Sequence, residues 1–315
     1  MADAKYPAID SNGKLTLTAR MLALVFAIIL PAAAAVIAII FINTATWTDL
    51  FLFLVMFFLS GLGVTVGYHR LFTHRAFETY PWLRYSLALL GGLSAQGAPI
   101  IWASQHRQHH AFPDEPGDPH SPYLHREPGF KGALKALWHS HYGHIFNQIE
   151  TINPPKYVPD LEREPFLQWF ERYSGLVAGA GLVLPGVAGW LISGTLMGGL
   201  TGMLWGGFVR LFVVTHVTGA VNSICHFFGT RRFNLSDESR NVWWLAPFTL
   251  GESWHQNHHA FPTSARHGLD WWEVDLSWWV ILGMEKVGLA WNVVRVDPER
   301  KRSKMLKAPT SVSAH

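Results

Sequence analysis

Apolar and polar positions divide this chain into long uncharged runs separated by polar stretches. Residues 21–42 form an uncharged run of 22 and residues 50–67 one of 18. Each is long enough to cross a hydrocarbon core of roughly 30 Å as a helix. Residues 173–209 are uncharged over 37 positions, too long for one ordinary span. The Gly-rich SGTLMGG at 193–199 predicts a turn that splits them into a helix over 174–192 and another from 197. The pattern therefore predicts four spans in two hairpins. The apolar stretch 81–101 is rich in Gly and broken by Pro99, which predicts a short interfacial helix or a re-entrant segment rather than a fifth span.

Polar positions set the sidedness. Neither hairpin turn, 43–46 or 193–199, holds Lys or Arg, whereas the N-terminus, residues 67–172 and the tail after His226 hold nearly all of them. The positive-inside rule then expects both termini and the long polar segments in the cytoplasm. The expected organisation is a cytosolic N-terminus over 1–20, a hairpin over 21–67 and a first cap segment over 68–172. A second hairpin over 173–226 and a second cap segment with a basic tail over 227–315 complete it. The first run contains Pro31 and leads almost at once into a second span, so it is not read as a cleaved signal.

Composition agrees: of 315 residues, 49% are hydrophobic and only 15% charged. The net charge of +3 gathers near the end, in Arg295, Arg300, Lys301, Arg302, Lys304 and Lys307. Such a tail suits anionic headgroups, or docking of an acidic electron carrier; no nucleic-acid partner is expected. Cys225 is the single cysteine, which excludes a disulfide framework and any four-cysteine site within this chain.

Chemistry concentrates in histidines. His69 and His74 lie in HRLFTH, His106, His109 and His110 in HRQHHAFP, and His255, His258 and His259 in HQNHHAFP. On a helix, i, i+3 and i+4 share a face, so each HxxHH aims three imidazoles one way. His69 and His74 are five apart, about 140° around an ideal helix, which places them where the second span loses regularity. In VNSICH, Asn222 and His226 share a face of the last span. Nine imidazoles exceed one tetrahedral ion and imply at least two; zinc lacks redox chemistry. Redox ions beside a hydrophobic phase fit oxygen chemistry on an apolar substrate. His139, His141 and His144 are read as lying behind the ligands or at the membrane interface, and His120, His125, His216 and His267 as ordinary residues. Arg210 inside the last span either anchors its helix or binds a carboxylate or phosphate. GLGVTVG at 61–67 lies inside a span and is read as helix packing, not a nucleotide loop.

HRLFTH, HRQHH, NSICH and GESWHQNHH, in that order, resemble the integral-membrane fatty acid desaturases of the stearoyl-CoA (delta-9) type, in a bacterial-like form. The likeness runs over most of residues 21–296 and includes DPHSP and WHSH. It implies an all-α membrane protein with four transmembrane helices under a cytosolic helical cap. It also implies two Fe ions held by His69, His74, His106, His109, His110, His226, His255, His258 and His259, with Asn222 holding a water on one iron. The implied reaction uses O2 to place a cis double bond in a saturated long-chain acyl group. Thr218 and Gly219, one turn before Asn222, are expected to line a substrate tunnel.

Two departures alter the carry-over. The animal acyl-CoA enzymes have an Arg-Asp pair where this chain has Ser104 and Gln105, so the acyl carrier stays open between CoA and lipid. Gln256 stands where Asn is common. Without a fused redox module in this sequence, electrons are expected from a separate donor such as a ferredoxin, rubredoxin or cytochrome b5-like protein. A multi-pass protein of a bacterial inner membrane, with its site in the cytoplasm, is the expected setting. The same histidines would also serve a related hydroxylase or alkene-forming decarboxylase. A metal-binding or transport protein without catalysis is the reading of another class.

Overall fold

The computed structural model describes residues 6–124, 127–147 and 150–306. His125 and Lys307 lie outside them. Four helices are long and apolar enough to cross a membrane: α1 (Leu17–Ile40), α2 (Trp47–Thr73), α6 (Pro165–Ser193) and α7 (Leu196–Phe227). On α1 no residue is buried before Pro31, and Ile39 is 71% exposed, so apolar side chains face outward where lipid would solvate them. This is a mostly helical membrane protein.

The two hairpin turns lie at 41–46 and 194–195. Thr46 caps α2 reciprocally with Asp49: the Thr46 hydroxyl accepts from the Asp49 N–H and the Asp49 carboxylate from the Thr46 N–H. Gly194 ends α6 at φ +67°, a left-handed position that glycine occupies without a Cβ clash, and Thr195 caps α7. The chain direction then puts the ends of α2 and α7 that carry His69 and His226 together, opposite the turns.

The spans outrun the uncharged windows. α2 continues past residue 67 because Arg70 is wholly buried and paired, so its charge does not end the helix. α6 begins at Pro165, eight residues before the uncharged run, with a non-helical Tyr173 (φ −113°, ψ 15°) at the junction. The last part of α2, Gly63–Thr73, is a wider π-helix, and the His74 N–H donates to the His69 carbonyl five residues back. That widening brings a five-residue spacing onto one face, which an α-helix would not.

The 81–101 stretch is two elements. α3 (Pro81–Gly92) lies against α2, where a Cβ on Gly63 would fall 2.1 Å from the Gly91 nitrogen, so these backbones touch. Its remainder opens α4 (Pro99–Ala111), which carries the second histidine cluster. The Ile100 and Ile101 N–H groups donate to the Glu171 carboxylate of α6 at 3.0 and 3.1 Å, satisfying the free end of α4.

The cap adds α5 (Gly129–Trp138), continued by a π-turn over His139–Gly143, then α8 (His255–Ala260), α9 (Leu276–Lys286) and α10 (Pro298–Lys304). Glu78–Thr79 pairs antiparallel with Ala290–Trp291. Phe72, Phe77, Ile100, Leu167, Phe170 and Ile281 form the core that ties the cap to the spans. Part of the basic tail is paired on the cap: Lys301 pairs with Asp270, Arg295 with Glu285, and Lys304 donates to the Ala260 carbonyl, while Arg300 and Arg302 stay exposed.

Candidate metal centre

Four helices bring the nine histidines to the site. α2 delivers His69 and His74 from its π-helical end. α4 presents His106, His109 and His110, while Arg107 on its opposite side binds Asp160 and the Phe72 and Thr73 carbonyls, locking α4 to the end of α2. α7 brings His226, and α8 brings His255, His258 and His259. Asn257 fixes α8 by donating to the His267 carbonyl and to Glu273. Gln256 exchanges hydrogen bonds with the Phe233 backbone behind α8, pointing away from the imidazoles.

The nine histidines fall into two groups. His69, His74, His106, His110 and His258 form one, and His109, His226, His255 and His259 the other, the ligand atoms within each lying no more than 4.8 Å apart. In the first group His69 Nε2 lies 3.0 Å from His106 Nε2 and 3.1 Å from His258 Nε2, and His110 Nε2 lies 2.9 Å from His258 Nε2. In the second, His226 Nε2 is 3.0 Å from His255 Nε2 and His109 Nε2 is 3.2 Å from His259 Nε2. Imidazoles at right angles on one ion, with bonds of about 2.1 Å, would stand about 3 Å apart. The buried His74 Nε2 has no hydrogen-bond partner. The donor set therefore fits two metal ions.

Carboxylates stand behind the imidazoles. His69 Nδ1 lies 2.7 Å from Glu252, His109 Nδ1 2.9 Å from Asp118, His226 Nδ1 3.3 Å from Asp114 and His259 Nδ1 3.3 Å from Asp237. Each holds the proton on Nδ1 and frees the Nε2 lone pair. Burial, followed by neighbouring imidazoles, pushes His74, His106, His110, His255 and His258 well below the usual histidine value, so they are neutral. His109 goes the other way: burial would lower it, but Asp118 raises it. Burial would raise Asp114, yet its bond to His226 holds it at about 2. Arg70 grips Glu252 and Asp275 together, and His267 Nδ1 sits 3.0 Å from Glu252, its ring 4.5 Å from His258.

A cavity of about 810 Å³ runs to the centre, reaching His69 and His106 of one group and His255 of the other. Thr218, Gly219 and Asn222 line it. Across it Gln96 donates to the Thr218 hydroxyl at 2.9 Å, and the Trp102 indole N–H donates to Gln96 at 3.4 Å. Trp102 stacks on His106, ring centroids 5.1 Å apart. His141 and His144, read from sequence as lying either behind the ligands or at the membrane interface, also line the cavity.

A family model described as fatty acid desaturase matches residues 45–293. The chain belongs to the fatty acid desaturase family. It is an oxidoreductase acting on fatty acids. Its relatives include the hex-5-enoyl-[acyl-carrier protein] acetylenase of Moorena producens, 45% identical over 76% of this chain and 74% of that protein. Delta-9 acyl-lipid desaturase 2 of Arabidopsis thaliana is 41% identical over 82% and 79%, and the sn-1 stearoyl-lipid 9-desaturase of Anabaena variabilis 39% over 81% and 87%.

Of the two roles read for Arg210 from sequence, this desaturase has the helix anchor, which corrects the substrate contact. Arg210 is wholly buried away from the cavity and donates to the carbonyls of Leu93, Gly181 and Gly206, joining α7 to α6 and to the loop after α3. Ser104 is buried with no exposed surface, while Gln105 lines the cavity. Sequence reasoning missed Gln96 and Trp102, which carry no motif. It also missed Glu252, Asp114, Asp118 and Asp237, whose signal was a carboxylate within a few residues of a cluster or, for Asp237, only proximity in space.

Proposed function

We propose that this desaturase uses O2 to insert a cis double bond near position 9 of a saturated, lipid-linked acyl chain, at two Fe ions held by the nine histidines. The observation that carries this is the cavity whose inner end is walled by histidines of both groups. Two irons, when bound, would activate O2 for removal of hydrogen from an unactivated methylene. One saturated –CH2–CH2– unit, O2, two electrons and two protons give –CH=CH– and two waters. Asn222, lining the cavity one turn before His226, is assigned to hold a water at one ion.

The chain's own residues select the bond. Trp102 walls the cavity beside His106 and, through Gln96, joins Thr218 of α7, so an acyl chain passing this Trp102–Gln96–Thr218 network is held in one register. The apolar walls exclude water around that segment.

Lipid as the carrier is supported by the small residues that two of the membrane-length helices give to the cavity lining, Ala19 and Ala23 of α1 and Gly175 and Ala178 of α6. The named activities of the Arabidopsis and Anabaena relatives point the same way. The electrons come from a separate carrier protein. With the positive charge distribution, the histidine ends of α2 and α7 and both termini face the cytoplasm, as in a bacterial inner membrane.

Lipid mass spectrometry of a host expressing the protein, with double-bond position mapped, tests this. Internal monoenes of unchanged chain length on intact lipids support it. Hydroxylated chains, or terminal alkenes one carbon shorter, would identify one of the related oxidations instead.

A further inference from the structure

Electrons must cross the cap to reach the histidines, and one aromatic contact leads from its surface to a ligand position. Trp271 and Trp272 are 92% and 53% exposed. The Trp272 ring meets Trp254 edge to face, centroids 5.5 Å apart and planes at 83°. Trp254 is buried, is held by its indole N–H on the Val274 carbonyl at 2.8 Å, and immediately precedes His255. His255 Nε2 lies 3.0 Å from His226 Nε2 in the four-histidine group.

The surroundings are cationic. Asp270, the residue before Trp271, is paired with both Lys301 and Arg232, and Arg266 donates to its carbonyl. Arg232, Arg266 and the α10 residues Arg300, Lys301, Arg302 and Lys304 are six cations. Asp270, Glu273, Asp297 and Glu299 are four carboxylates, leaving a net charge of +2. Exposed tryptophan with arginine is the composition of a protein-binding face. A bilayer anchor would have no use for a ring contact running inward to a ligand position.

We infer that the Trp271–Trp272 face docks an acidic one-electron carrier protein, and that Trp272 and Trp254 conduct its electrons to the His255 side of the metal centre. This rests on the desaturase reading above. The reduced carrier gives up one electron at each encounter and leaves oxidised; two encounters supply the two electrons of one double bond. Trp271 supplies docking contact, and Trp272 is the relay.

The experiment uses the full-length, metal-loaded protein in detergent with a reduced acidic [2Fe–2S] ferredoxin as probe and dithionite as a small-reductant control. Trp271→Ala and Arg302→Glu are expected to weaken ferredoxin binding, Trp271→Ala about thirtyfold, in metal-free and metal-loaded protein alike. Trp272→Leu is expected to slow ferredoxin reoxidation at saturation while dithionite reduction keeps the wild-type rate, and Trp272→Phe to restore it. Wild-type reoxidation by Trp272→Leu, or equal slowing with dithionite, overturns the relay. Unchanged ferredoxin binding by Trp271→Ala, or quenching of Trp271 by brominated lipid in nanodiscs, overturns the docking face. A wild-type protein that binds ferredoxin yet yields no desaturated product under either reductant sinks the desaturase reading alone.

Discussion

Glu252 accepts a hydrogen bond from His69 Nδ1 at 2.7 Å while its other oxygen pairs with Arg70, the next residue along α2. One carboxylate thus fixes the tautomer of an imidazole and neutralises a buried guanidinium. Glu252→Gln keeps the shape but removes the charge, and is expected to weaken metal binding about 10- to 100-fold. Metal titration of the purified variant measures it; wild-type affinity would show that Glu252 does not act through His69.

The two histidine groups predict separable metal loss. His258→Ala should empty the five-histidine position, and His109→Ala the four-histidine one, each variant remaining inserted in the membrane. Elemental analysis of purified protein reads the stoichiometry, expected to fall by about one ion in each. Full occupancy with normal turnover in both would refute the ligand assignment.

The Gln96–Thr218 bridge predicts a loss of register. Thr218→Val is nearly isosteric and removes the acceptor at 2.9 Å. Double-bond mapping should then show a mixture of positions in place of one product, with metal content unchanged. A single unaltered position would remove the bridge from regiochemistry.

Arg210 predicts stability without chemistry. Arg210→Met leaves three buried carbonyls without their donor and is expected to cost about 2–5 kcal/mol. Thermal melts in detergent measure the loss, while surviving folded protein should bind metal normally.

The metal-free protein should weaken in acid. His106, His110, His255 and His258 have folded-state values held well below 6.5, so the unfolded chain binds more protons and stability falls as pH drops below 6.5. His109, raised by Asp118 against burial, has the opposite sign: its contribution is full below 6.5 and fades as pH rises through its higher folded value. The lowered histidines, joined by His74, His120, His144, His259 and His267, outnumber His109 and set the direction. Melting curves from pH 7.5 to pH 5 should show the decline, shifted to lower pH by bound metal.

Much of the architecture was legible because a bilayer imposes a one-dimensional rule. Uncharged length and turn residues alone predicted four spans with turns near 43–46 and 193–199. Boundaries were less legible, because a window that stops at charge cannot know that Arg70 is paired with Glu252 and Asp275. The fate of 81–101 was hidden for a similar reason: Gly63 and Gly91 meet only once two helices pack.

The sequence by itself determined the family, the mostly helical fold and the clustered imidazoles, since i, i+3, i+4 spacing on a helix fixes which side chains share a face. Tertiary structure decided the rest. It divided the imidazoles five and four, because Nε2 atoms from α2, α4, α7 and α8 converge only when four segments distant in sequence are packed together. It set Glu252 and the three aspartates behind them and decided between the two roles open to Arg210 in favour of the internal brace. It also carried Gln96 across the cavity to Thr218. Such pairings depend on distances of about 3 Å across the fold, and no local pattern records them.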